Sequence, residues 1–150
     1  MKTLLILVSY HHRNTQKIAD VLAKTLNAQI KNPQQINPED FQQYDLVGCG
    51  SGIYFGKHHK ELHAIVRKLP LVVNKKAFIF STSGDTRNGV KLHKSLKKEL
   101  ASKGYNIVGE FNCAGFDTFG LLRLFGGIKK GKPDTVDLKR AEDFAEKLKV

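Results

Sequence analysis

Apolar residues follow two alternating patterns along the chain. Short continuous apolar runs are typical of strands buried on both faces of a parallel sheet, and apolar residues spaced three and four apart are typical of amphipathic helices. Residues 32–43, with Pro33 and Pro38, are predicted to form a loop with at most one helical turn. The apolar runs predict five strands, at residues 3–9, 28–31, 44–50, 76–81 and within 105–113.

Four helices are predicted between and after these strands. The first begins at the cap candidates Asn14 and Thr15, and the second occupies residues 57–69, where Pro70 stops it. The third ends near Gly104, and the last follows Pro133 and Asp134. The apolar stripes that identify the four helices are Ile18, Val21, Leu22 and Leu26; Leu62, Ile65, Val66 and Leu69; Val90, Leu92, Leu96 and Leu100; and Leu138, Ala141, Ala145 and Leu148.

This alternation predicts the α/β class, with a five-stranded parallel sheet covered by helices on both faces. A chain of 150 residues fits one domain, residues 1–150. If the strand order is 2-1-3-4-5, the helices after the third and fourth strands share one face, and the first and last helices share the other. Ligands bind such sheets beyond the carboxyl ends of the strands, where the order reverses, here beside strands one and three.

The charge of the chain is basic and unevenly placed. There are 25 Lys and Arg residues against 14 Asp and Glu residues, a formal net charge of +11, and residues 57–103 hold a surplus of +9. Charge of this size affects partners and encounter rates rather than the fold. Two interpretations remain open, solvated helix faces and a docking surface for an acidic protein, nucleic acid or an anionic membrane. The sequence contains no nucleic-acid-binding motif, so nucleic acid is not expected as a partner.

The sequence predicts a cytoplasmic protein with no transmembrane segment. The apolar run at residues 4–8 is too short to span a bilayer, and no small-residue cleavage site of a signal peptide follows it. Cys49 and Cys113 are therefore expected to be reduced thiols, and their spacing suggests neither zinc nor a redox pair.

The loop after the first predicted strand, residues 9–17, has the composition of a phosphate site. A helix N-terminus offers free N–H groups and a partial positive charge. Asn14 and Thr15 add side-chain donors, and His11, His12 and Arg13 add cationic ones. Ordinary capping of a basic turn is the alternative. The lysine-bearing nucleotide loop is absent, which argues against a nucleoside triphosphatase, and the acidic pocket of a receiver domain is absent as well.

Two further loops reach the same predicted edge. Residues 50–59 place Ile53, Tyr54 and Phe55 between glycines, where apolar and aromatic side chains favour contact with a partner or a flat ring. Inward packing as core is the alternative. Residues 81–89 supply hydroxyls, backbone N–H groups and the carboxylate of Asp85, which suit a polar ring edge.

Taken together, these segments resemble the flavodoxin family over nearly the whole chain. SYHHRNTQKIA is similar to the family's phosphate loop, Ser/Thr-x-Thr-Gly-Asn-Thr, and Asn14 and Thr15 match its last two positions, whereas His12 and Arg13 replace the usual Thr and Gly. GSGIYFGKHHKEL resembles the loop that covers one flavin face, and FIFSTSG resembles the segment bordering the ring. The tail GFDTFGLLRLFGGIKKGKPD resembles that of small prokaryotic flavodoxin-like proteins.

The resemblance implies a flavodoxin-like three-layer sandwich that binds FMN as its cofactor. Tyr54 or Phe55 would be the stacking ring. The residues implied to contact FMN are Tyr10, His11, His12, Arg13, Asn14 and Thr15 at the phosphate; Ser51, Gly52, Ile53, Tyr54, Phe55 and Gly56 over the ring; and Thr82, Ser83, Gly84 and Asp85 at its edge.

The resemblance further implies a redox protein that carries electrons on FMN between protein partners, which needs no catalytic residue. Its basic charge favours an acidic redox partner. The alternative is an FMN-dependent oxidoreductase of the protoporphyrinogen oxidase or quinone reductase type, with a small apolar quinone or porphyrinogen as substrate. A binding module without redox chemistry is a third class.

Three remaining features are expected to be structural. His58, His59 and His63 are interpreted as solvated helix histidines rather than metal ligands, because Lys60 stands where a metalloprotease has Glu. Cys113 is interpreted as a structural thiol. Residues 116–132, which mix apolar and basic side chains, are expected to cover the sheet edge, or alternatively to contact an acidic protein, an apolar substrate or a peripheral membrane surface.

Overall fold

A central sheet organises the protein. The computed structural model describes residues 1–10, 13–54, 56–84, 89–115 and 131–149. Among these residues, five strands run parallel, and one short additional strand pairs antiparallel with the strand before it to form a hairpin. The strands are β1 (Thr3–Val8), β2 (Gln29–Lys31), β3 (Leu46–Tyr54), β4 (Lys57–His58), β5 (Lys75–Ser83) and β6 (Tyr105–Ala114).

In the part of the chain that the structure describes, four α-helices and three 3₁₀-helices connect or follow the strands. The α-helices are α1 (Asn14–Leu26), α2 (Lys60–Lys68), α3 (Lys94–Ser102) and α4 (Thr135–Leu148). The 3₁₀-helices are Pro33–Gln35 and Pro38–Gln43 in the predicted loop, and Gly89–His93 before α3.

The predicted starts of two helices were wrong. Residues 57–59 belong to β4 and the cap of α2, because Lys57 pairs with Tyr54 across the hairpin. Val90 and Leu92 lie in the 3₁₀-helix, so α3 begins at Lys94. A pattern of apolar residues marks an inward face without specifying which type of helix presents it.

The parallel strands follow the predicted order, read here as β2-β1-β3-β5-β6. At the carboxyl edge, Val8 of β1 is in register with Ser51 of β3, which is in register with Ser81 of β5. The loops after β1, β3 and β5 therefore meet at this edge, as predicted.

Helices cover both faces of the sheet in the predicted pairs. α1 packs with α4 on one face and shares a core that includes Leu22, Phe78 and Ala141. α2 packs with α3 on the other face, over a core that includes Leu62 and Leu96. Within the described residues, no helix is long and apolar enough to cross a membrane.

This pairing places the basic charge on one side. α2 and α3 together carry six Lys and Arg residues and two Glu residues, whereas α1 and α4 carry five basic and five acidic residues. The prediction of a basic face is confirmed for the helices.

Strand β3 runs past its predicted end at Gly50 and continues to Tyr54. Gly48 and Gly50 do not terminate the strand; they leave room for rings of β5. A Cβ at Gly50 would lie 2.1 Å from the ring of Phe80, and one at Gly48 would lie 2.4 Å from the ring of Phe78. These glycines therefore keep the centre of the sheet closely packed.

Candidate functional site

The first turn of α1 presents backbone N–H groups to the loop after β1. Arg13 is the N-cap residue, in a left-handed conformation with φ of 53°, and its side chain makes no capping hydrogen bond. The hydroxyl of Ser9 accepts from the Gln16 amide nitrogen at 3.2 Å. The first turn contains no acidic side chain. The partial positive charge of the helix N-terminus, with no acidic side chain beside it, suits an anion.

Asn14 and Thr15 are the first two residues of the helix rather than its caps, which corrects the predicted helix start. The Thr15 side chain is buried, and its hydroxyl lies 2.8 Å from the hydroxyl of Thr82 at the end of β5. This hydrogen bond joins the phosphate-loop candidate, residues 9–17, to the third predicted loop, residues 81–89.

The hairpin of β3 and β4 contains the second of the three predicted loops. Ile53 pairs with His58, and Tyr54 pairs with Lys57. Gly56, in the turn, has φ of +78° and open space around its Cβ position, so a side chain there would be strained by the backbone rather than by a neighbour.

The Tyr54 ring lies over this hairpin. It is half-buried, meets the His59 ring edge-on at a centroid distance of 5.2 Å, and would be 3.4 Å from a Cβ at Gly52. Burial raises the pKa of Tyr54; the charge of the nearby Tyr10 side chain adds to the rise, and a hydrogen bond with the Tyr10 backbone opposes it. Tyr10 is exposed and packs its ring 5.2 Å from that of His59, while its hydroxyl donates to Glu61 at 3.2 Å.

The third loop begins where β5 ends. Ser83 is buried and accepts a hydrogen bond at 3.3 Å from the amide of Asn112, on β6. Gly52 of β3 is in register with Thr82 of β5, so the second and third loops leave the sheet side by side. The structure thus brings the described parts of all three predicted segments to one edge.

Four of the predicted site residues lie outside the described residues: His11, His12, Phe55 and Asp85. The predicted contacts of residues 116–130 lie outside them as well.

Comparison with known proteins identifies the chain. A family model described as a flavodoxin domain matches residues 5–116. The protein belongs to the flavodoxin family. An uncharacterised protein of Methanocaldococcus jannaschii is 47% identical over 148 residues, covering 99% of this chain and 98% of that protein.

Solved structures share the flavodoxin fold. An archaeal flavodoxin has a TM-score of 0.72 at 15% identity and is covered completely, as is this chain. A flavodoxin of Streptococcus pneumoniae has a TM-score of 0.70 at 19% identity, with 99% of each chain covered. An NADH:FMN oxidoreductase in its apo form has a TM-score of 0.69 at 14% identity, covering 98% of this chain and 88% of that one. At these identities the likeness concerns the fold alone.

In this flavodoxin-family protein, two buried histidines lie at the base of the hairpin: His58, which belongs to β4, and His93 beside it. Nδ1 of His58 lies 2.9 Å from the hydroxyl of Ser51, which also accepts from the His59 amide nitrogen at 3.0 Å and donates to the Gly52 carbonyl at 2.7 Å. Because the Ser51 hydroxyl donates its only proton to the Gly52 carbonyl, it accepts from His58, and Nδ1 of His58 is the donor. The contact closes the base of the hairpin.

His93 extends the network to β6. Its ring lies 5.1 Å from that of His58, its Nε2 is 2.6 Å from the Ser81 hydroxyl, and its Nδ1 is 3.4 Å from a carboxylate oxygen of Glu110. The Asn112 amide donates to the same Ser81 hydroxyl at 2.8 Å. Because a carboxylate only accepts, the His93 proton lies on Nδ1, facing Glu110, and Nε2 accepts from the Ser81 hydroxyl.

Burial favours the neutral form of these imidazoles. It holds the pKa of His58 well below its ordinary value, and the neighbouring His93 and His63 lower it further. Burial also lowers the pKa of His93, against the opposing effect of Glu110. His59 caps α2 by accepting from the Glu61 amide nitrogen at 3.1 Å, and partial burial lowers its pKa.

The interpretation of the histidines as solvated helix residues was wrong for two of them. His58 is 3% exposed and lies in β4, and His63 is 7% exposed in α2. The role of His93 was missed entirely, because the sequence around it shows only a basic stretch before an amphipathic helix. By contrast, Cys113 is buried with its pKa raised to about 12, mainly by that burial, which supports a structural thiol.

Proposed function

We propose that the protein binds one FMN at the carboxyl edge of the sheet and carries electrons between protein partners. Membership of the flavodoxin family is the observation that carries this proposal. FMN, when bound, supplies one- and two-electron transfer. The protein binds, orients and shields it.

The residues at the edge fit such a group. The start of α1 lacks both an acidic side chain and a side-chain cap from Arg13, so its N–H groups suit phosphate oxygens. We assign Tyr10 and residues 11–15 to the phosphate, although the Thr15 hydroxyl is engaged with Thr82. We assign residues 51–56 to one face of the ring and residues 82–85 to its edge.

The proposed partner is an acidic redox protein. The α2 and α3 surface carries the excess of basic side chains, which would attract an acidic surface and speed its approach. Salt should weaken this association because the charges are exposed.

The test is the visible spectrum of the purified protein, followed by titration of FMN into the apoprotein. Saturable uptake of one FMN per chain is expected. Arg13→Glu should weaken uptake by adding a negative charge at the phosphate, whereas Lys24→Glu, at the other end of α1, should leave it nearly unchanged. Absence of saturable uptake by the wild-type protein would contradict the proposal.

A second candidate is an FMN-dependent oxidoreductase on the same fold, which an NADH:FMN oxidoreductase also has. Steady-state reduction of a quinone or oxidation of a porphyrinogen would support it. Stoichiometric electron exchange without turnover would support the carrier.

A further inference from the structure

A cavity of about 420 Å³ lies between the β3–β4 hairpin and α2, apart from the phosphate-loop candidate. Its volume falls within the range of small-molecule sites. None of its lining residues is acidic, and none belongs to residues 10–15. We call it the basic pocket; it is lined by Tyr54, Lys57, His58, His59, Lys60, His63, Arg67 and Ser95.

Two buried imidazole nitrogens in the basic pocket lack a hydrogen-bond partner among the described residues. His63 binds the Glu99 carboxylate through Nδ1 at 2.7 Å, which leaves its Nε2 without a partner. His58 binds Ser51 through Nδ1, and its Nε2 is likewise without a partner. Buried polar atoms of this kind are uncommon in folded proteins, and here both belong to residues that line one cavity.

The cations of the basic pocket are available to a ligand. Lys57 and Lys60 are exposed and form no ion pair with any described residue. Arg67 donates one N–H group to Glu99 at 2.9 Å and is 68% exposed in its side chain, so its remaining donors are accessible. Glu99 neutralises only one of these positive charges.

We propose that the basic pocket binds the phosphate group of a small molecule. Lys57, Lys60 and Arg67 supply the attraction. Because Nδ1 of His63 donates to the Glu99 carboxylate, its Nε2 is an acceptor, and it accepts a hydrogen bond from a protonated oxygen of the phosphate.

A small ligand fits these observations better than a flat protein surface. The two imidazole nitrogens are buried within residues that line the cavity, so a flat protein surface cannot contact them. Because the residues involved are not those assigned to FMN phosphate, the proposal does not rest on FMN binding.

The test is titration of inorganic phosphate into the FMN-saturated protein, followed by proton–nitrogen NMR at fixed pH and matched ionic strength in chloride. If the protein takes up no FMN, the same titration is made on the protein as purified. Saturable shifts at α2 and at the His63 ring nitrogens are expected. Shifts confined to the first turn of α1, or an effect that chloride reproduces, would overturn the proposal.

Variants on one helix sharpen the test. Lys60→Gln and Arg67→Gln should each weaken phosphate binding about threefold, the effect of one solvent-exposed charge contact. Lys68→Gln is the matched control, because Lys68 is exposed on α2 but does not line the basic pocket. Equal weakening by all three would indicate a diffuse charge effect and overturn the site. Acetate, which carries no protonated oxygen near neutral pH, should not compete with phosphate, and competition by acetate would overturn the phosphate assignment.

Discussion

The hydroxyls of Thr15 and Thr82 lie 2.8 Å apart in the protein interior, and they join the first turn of α1 to the end of β5. The two residues are 67 positions apart in sequence, and each belongs to a different candidate loop of the site. A shift of the loop after β1 would therefore also move the loop after β5.

Replacing either threonine by valine should destabilise the protein. Thr15→Val or Thr82→Val keeps the shape but leaves one buried hydroxyl without its partner, at a cost of about 1–3 kcal/mol. The double variant should lose less than the sum of the two, because it removes both polar groups. Urea unfolding of the four proteins measures this, and strict additivity would show that the contact contributes nothing.

The centre of β3 should not tolerate a side chain at Gly50. Gly50→Ala places a Cβ 2.1 Å from the Phe80 ring, so about 1–3 kcal/mol of stability should be lost to overpacking. Gly52→Ala is the control two residues along, where the nearest ring atom is 3.4 Å away. Thermal unfolding of the apoproteins should show a clear loss for the first variant only. Phe80→Leu should restore part of the stability of Gly50→Ala.

Acid should destabilise the protein through its buried histidines. The pKa of His58 lies well below its ordinary value because of burial, so below about pH 6.5 the unfolded chain binds a proton that the native state does not. The free energy of unfolding should therefore fall as pH drops from that value.

His58→Asn keeps a donor for Ser51 and should flatten this pH dependence. His59→Asn, which retains a helix cap, should flatten it less because His59 is more exposed. Chemical unfolding between about pH 5 and 7.5 measures both slopes. Identical slopes for wild type and His58→Asn would contradict the assignment of a neutral buried imidazole.

The basic surroundings should raise the midpoint potential of bound FMN above that of acidic flavodoxins. Each added electron brings negative charge that positive side chains stabilise. Lys57→Gln combined with Lys60→Gln should lower the potential, by about 20 mV for each charge roughly 10 Å away in a water-like dielectric. Lys24→Gln, on the opposite face, is the control. A redox titration in which all three proteins coincide would refute the expectation.

The sequence was sufficient for the sheet order and the helix pairing, because continuous apolar runs and helical stripes determine which faces are buried. It was insufficient where buried polar side chains form hydrogen bonds with one another. His58, Ser81 and His93 come from three separate segments, and no spacing in the chain indicates that they meet. The hairpin was similarly hidden, since Lys57 and His58 continue a pattern that also suits a helix.

The uneven division of charge between the two helical layers has a consequence for how the molecule moves near other proteins. The helices α2 and α3 carry six basic and two acidic side chains, whereas α1 and α4 carry five of each, so the helical charges contribute an electric dipole across the sheet. In the electric field of an anionic partner, such a molecule rotates before contact. Encounters then begin more often with the α2 and α3 side facing the partner.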